Sequence, residues 1–128
     1  MSYYFSKHLN CSFDEAITRA VEQLKVEGFG VLTEIDIKAT LKKKLDVEFP
    51  QYRILGACNP SLAYKALQAE AHIGTMLPCN VIVRELPEGG IEVAAVDPVE
   101  SMKSIVNSQL GDIANEVRLK LQTVIERL

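Results

Sequence analysis

An α+β fold is what this sequence predicts, and three observations predict it. Strand-like and helix-like segments alternate along the chain. Pro87-Glu88-Gly89-Gly90 joins two apolar-rich runs as an antiparallel hairpin. Two long segments, one near each end, carry apolar residues at helical spacing. Such helices are expected on one face of a sheet. A second face without helices needs another cover, and a second subunit is a simple one. The order in which strands pair is not readable from the residues.

A first strand is expected over residues 3–7. Ser12-Phe13-Asp14-Glu15 then opens a helix with a capping box, the Ser12 hydroxyl taking a backbone N–H near position 15 and the Glu15 carboxylate reaching back. Phe13, Ala16, Ile17, Ala20, Val21 and Leu24 form its apolar stripe, and Gly28 stands where a helix end wants a left-handed residue. Val31 to Ile37 reads as a second strand, with Val31, Thr33, Ile35 and Ile37 on one face and Glu34 and Asp36 on the other. Ala39 to Leu45 reads as a short helix with Leu41 and Leu45 inward. Tyr52 to Ala57 is the third strand. Asn59 caps a helix with Pro60 at its first position, where a missing N–H costs nothing, and Leu62, Ala63, Ala66 and Leu67 form its inner side. Residues 79–85 and 91–96 are the hairpin strands, Cys79, Val81 and Val83 sharing a face opposite Asn80, Ile82 and Arg84. A short helix is expected over residues 99–105. The last helix carries Leu110, Ile113, Ala114, Val117, Leu121, Val124, Ile125 and Leu128 inward.

The 128 residues suit one domain, 1–128, with room for a hydrophobic core. A net charge of −3 argues against nucleic acid as a partner, since binders of it show a basic face. The one basic run, Lys42-Lys43-Lys44, reads as solvated. No apolar stretch is long enough to cross a bilayer, and residues 1–8 lack the basic start and apolar run of a signal peptide. Three cysteines, an odd number, suit a reducing compartment. The expected setting is the cytoplasm, without a membrane partner.

Two short turns join helix and strand through a thiol, an amide and a proline: Leu55-Gly56-Ala57-Cys58-Asn59-Pro60 and Leu77-Pro78-Cys79-Asn80. Element ends of this kind are where rigid scaffolds carry sites. Together with Leu32-Thr33-Glu34-Ile35-Asp36, Ala39-Thr40-Leu41-Lys42, Lys44-Leu45, Ile73-Gly74 and Asp97-Pro98, these blocks resemble the bacterial and archaeal domain-of-unknown-function family 302 over nearly the whole chain. The resemblance implies a curved antiparallel sheet with helices on one face, similar to the fold of the TATA-box-binding protein, and a homodimer. The likeness to that protein is one of fold and carries over no DNA binding. The family brings no established reaction, and the residues name no cofactor.

The residues admit three functions. In the first, Cys58, Asn59, Cys79 and Asn80 line one pocket that binds a small molecule or a soft metal, with His72 completing a Cys58–Cys79 metal site. In the second, the chain is a thiol-dependent or redox enzyme with Cys58 as nucleophile at a helix start and His72 or Cys79 as partner. In the third, the role is structural, and the sheet face serves dimerisation. Asn59 is better explained as a helix cap, whereas Asn80 sits in a strand, where Asn is disfavoured, and its side chain needs a partner. Cys11 reads as incidental, and of the two histidines His72 is a better metal ligand or general base than His8. Glu34 and Asp36 share a face as paired carboxylates, most simply an edge charge pair. Lys42 and Lys44 read as solvated lysines. No phosphate loop, dinucleotide fingerprint or H-E-x-x-H is present.

Overall fold

A computed structural model describes residues 2–128. The chain runs β1 (Tyr4–Leu9), α1 (Phe13–Val26), β2 (Gly30–Asp36), α2 (Ile37–Leu45), β3 (Tyr52–Cys58) and α3 (Pro60–Ala69). A 3-10 turn (Ala71–Met76), β4 (Cys79–Glu85), β5 (Ile91–Val96), α4 (Pro98–Ser101) and α5 (Ser108–Glu126) follow. The five strands form one antiparallel sheet in the order β1-β5-β4-β3-β2. The α+β expectation is met, with α1 and α5 packed on one sheet face.

Local chemistry sets the element ends. Ser12 Oγ accepts from the Glu15 N–H at 3.1 Å, while the Glu15 carboxylate turns to Arg19, 3.8 Å away. At the other end of α1, Gly28 adopts φ +85°, and the N–H groups of Gly28 and Phe29 return to the carbonyls of Lys25 and Leu24. That pair of bonds is a Schellman motif, and it buries Phe29 beside the helix it terminates. Asn59 Oδ1 accepts from the Leu62 N–H at 3.4 Å and caps α3 as expected. Asp97 caps α4 through the Val99 N–H (3.0 Å), and its second oxygen accepts from Arg118 Nε of α5 (3.1 Å). The Leu77–Pro78 peptide bond is cis. Gly89 and Gly90 both take positive φ in the hairpin turn, where no side chain would be tolerated easily.

The core lies between the helix pair and the inner sheet face. Leu24, Leu121 and Val124 from the helices meet Leu55, Val81, Val83 and Val93 from the strands, all fully buried. A second cluster of Ala66, Ile73, Met102, Leu110 and Ala114 joins α3, the 3-10 turn and α5. Lys7 closes the far end by donating to the Glu126 and Leu128 carbonyls (3.0 and 2.7 Å), a cation at a helix C-terminus.

Five expectations are corrected. A bulge falls between Val31 and Thr33, so that Val31 opposes Ala57 while Thr33 opposes Gly56. The extra residue, Leu32, breaks the alternation and sends Val31 to the other face from Thr33 and Ile35. Ile37 belongs to α2, because Asp36 Oδ1 takes the Ala39 N–H (2.9 Å) and starts the helix there. Helix α2 buries none of its residues, and Leu45 is 66% exposed. Leu67, expected inward on α3, is 45% exposed. The helix expected over residues 99–105 ends at Ser101, the chain then turning through Met102 to Asn107, which caps α5.

Candidate functional site

The register of the sheet brings the two cysteine turns together. Cys79 opens β4 directly opposite Ala57, and Cys58 is the next residue of β3. Cys58, Asn59 and Cys79 all line one small cavity at this end of the sheet, about 40 Å³ in volume. Its remaining walls are hydrocarbon and thioether: Phe29, Leu62, Met102, Leu110 and Val117 among them. Asn59 is already spent on structure, its amide nitrogen donating to the Glu27 carbonyl at 3.3 Å while its oxygen caps α3. It ties the end of α1 to the start of α3 and so fixes the mouth of the cavity.

The Cys79 thiol is buried, and burial first, then the neighbouring Cys58 sulfur, pushes its pKa up to about 11. At neutral pH Cys79 is a thiol and a poor nucleophile. Its raised pKa also has a sign for stability. The folded chain holds this proton more tightly than the unfolded chain does, so the contribution is present below pH 9 and is lost as pH rises through 11. Native protein at pH 8 is therefore expected to leave Cys79 unmodified by iodoacetamide, with modification rising as the pH climbs from 9 towards 11. Peptide mapping by mass spectrometry checks this; labelling of Cys79 at the unfolded-chain rate at pH 8 would refute it.

Asn80 does not join the cavity. Adjacent strand residues point to opposite faces, so Asn80 leaves Cys79 behind and lines a separate hollow on the helix-free sheet face. His72 is exposed in the 3-10 turn and is not among the residues around the cavity. Among the described residues no three His, Cys, Asp or Glu side chains gather as a metal site. The Cys58–Cys79–His72 metal set is thus not assembled, because α3 ends at Ala69 and the chain carries His72 away in a tighter turn.

The other candidates resolve into structure. Arg53 lies between Glu34 and Asp36, with Nη1 2.5 Å from Glu34 and Nη2 3.7 Å from Asp36, and its guanidinium sits 5.5 Å from the Phe13 ring centroid. The paired carboxylates are a charge cluster around one arginine. Lys42 is held by Asp46 (2.8 Å) and Glu48 (3.1 Å), which raise its pKa. Cys11 packs half-buried against the main core. His8 is exposed, 3.8 Å from Glu92. Sequence reasoning missed the cavity wall contributed by Met102 and Leu110. Helical spacing marks Leu110 as inward without distinguishing core from lining, and Met102 carries no such signal.

Comparison with known proteins adds the following. The family model described as "Domain of unknown function DUF302" matches residues 5–128. The crystal structure of an uncharacterized conserved DUF302 protein from Bacillus stearothermophilus is similar over 99% of this chain and 98% of its own, with a TM-score of 0.92 and 26% sequence identity. No curated protein matches the chain. Among the described residues no helix is long and apolar enough to cross a membrane.

Proposed function

This chain belongs to the DUF302 family, a domain of unknown function, and from that premise we propose that it is a homodimeric binding module that takes a small uncharged group between Cys58 and Cys79. The observation that carries this reading is the convergence of two cysteine turns on one small apolar cavity with a protonated thiol in its wall. A cavity of about 40 Å³ admits roughly three water-sized atoms, so the bound part is an alkyl group or a small neutral molecule. The hydrocarbon lining favours an apolar group.

The reading of a homodimer rests on a different region. Helix α2 buries nothing in the single chain, and Leu32, Ile35, Leu45, Val47 and Phe49 are all exposed beside the unpaired edge of β2. A free strand edge flanked by exposed apolar side chains is suited to pairing with a second copy.

The test uses protein labelled with methyl-carbon-13 methionine. Titration with neutral two- to four-carbon alcohols and thioethers is expected to shift the Met102 methyl saturably and leave the exposed Met76 methyl in place. Zinc ion should move neither. Ala63→Leu, which fills the mouth of the cavity, should abolish the Met102 response. Light scattering should give twice the 14.2 kDa chain mass, reverting to one chain in Leu32→Glu. Equal drift of both methyls would end the pocket reading, and a single-chain mass would end the homodimer.

A further inference from the structure

The sheet face turned away from α1 and α5 carries a second built feature, independent of the cysteine cavity. Three rows of side chains cross it. Ser6, Ala94, Ile82, Ile54 and Ile35 stand side by side in the middle row. His8, Glu92, Arg84 and Tyr52 form the row on one side. Tyr4 pairs with Val96, and Asn80 with Gly56 and then Thr33, on the other. Ala94 and Ile82 of the middle row lie within a hollow of about 340 Å³. That is the size of a ligand site and far larger than the cysteine cavity.

The polar groups around this hollow are placed for a ligand. Arg84 commits only its Nε to the chain, donating to Glu92 Oε1 at 2.6 Å, which leaves its terminal nitrogens as donors. Asn80 is exposed, with no partner for its amide among the described residues, although Asn is a poor strand former. Tyr4 and Tyr52 stand at opposite rims. Arg84 and Glu92 neutralise one another, so the hollow has no net charge with which to draw an anion. Asn80 and Arg84 are four residues apart on β4, roughly 13 Å along the strand, on one face of it, and both line the hollow.

We propose that this hollow binds an uncharged planar heterocycle of two fused rings bearing a lactam edge. The ring system would lie on Ala94 and Ile82 with Tyr4 and Tyr52 against its edges. The Asn80 amide offers one donor and one acceptor, the complement of a lactam N–H and C=O, while Arg84 donates to a carbonyl oxygen at the other end.

Lumazine (pteridine-2,4-dione) is the probe, followed by its own fluorescence and by the side-chain amide signal of Asn80. The control ligand is 1,3-dimethyllumazine, whose ring N–H groups are blocked. Lumazine is expected to bind saturably and shift the Asn80 amide. Dimethyl-lumazine should bind about tenfold more weakly or worse, as should lumazine to Asn80→Leu, since each leaves a buried polar group unpaired. Asn80 is exposed, so Asn80→Leu should keep the wild-type melting temperature; Cys58→Ser, at the other cavity, should bind lumazine like wild type. Absence of saturation overturns the proposal, and so does equal affinity for both ligands or for wild type and Asn80→Leu. It also falls if Asn80→Leu splits a pair of chains, because a second copy then covers this face.

Discussion

Leu121→Ala is expected to lower the unfolding free energy by about 3–4 kcal/mol. The side chain is fully buried in the middle of α5, among the strand residues of the main core. Removing three carbons there takes away their transfer free energy and leaves a void that α5 and the sheet cannot close without moving one another. For a chain of this length that corresponds to a melting temperature lower by roughly 10–15 °C. Leu119 is the matched control: it lies on the same helix two residues away but is 62% exposed, and Leu119→Ala should cost no more than about 0.5 kcal/mol. Urea unfolding of the two variants side by side decides the matter. Similar losses in both would mean that α5 is not seated as described.

Gly56→Ala should be costly for the opposite reason, with an atom added where there is no room. A β-carbon at Gly56 would lie 2.1 Å from Thr33 Oγ1 and 2.8 Å from Pro78 Cγ. The first contact can be relieved by rotating Thr33; the second is to a ring with no such freedom. Overpacking of this kind costs about 2–3 kcal/mol. Thr33→Ala in the same chain removes the first clash and should recover part of the loss, while Thr33→Ala alone should be mild. A double-mutant cycle measured by urea unfolding reads the coupling directly. If Gly56→Ala is neutral, or if Thr33→Ala recovers nothing, the close approach of β2 to β3 at the bulge is not as described.

The features legible in the sequence are those written by neighbours in the chain. Ser12, Gly28, Asn59 and Pro60 marked helix ends because capping depends on residues three or four apart. The alternation of Cys79, Val81 and Val83 against Asn80, Ile82 and Arg84 was readable for the same reason. Strand order was not, since β1 pairs with β5 across most of the chain and no local pattern encodes that. The bulge at Leu32 was hidden as well. Its effect on the faces of Val31 and Thr33 depends on the partner strand, which a single strand does not reveal.

The same distinction divides the candidate site. That two turns of similar composition would meet was a guess about space, and the β3–β4 register brings Cys58, Asn59 and Cys79 to one cavity. Asn80 is not a fourth member, because the period of two along β4 turns it to the face opposite Cys79. Arg84 and Tyr52 are each ordinary in their own segments. They become a row with Glu92 only once three strands lie side by side.

The position of β1 has a consequence for biosynthesis. It leaves the ribosome before the other four strands yet pairs with β5, whose residues follow 82 to 92 positions later. Until then β1 is an unmatched ribbon, while β2, β3 and β4 can already zip together in their order of appearance. The open flank is thus brief at β4, which β5 joins across a short hairpin turn, and prolonged at β1, which waits for β5 while β2, β3 and β4 are made. Nascent chains stalled before residue 91 are the forms of this protein most exposed to aggregation and to capture by chaperones.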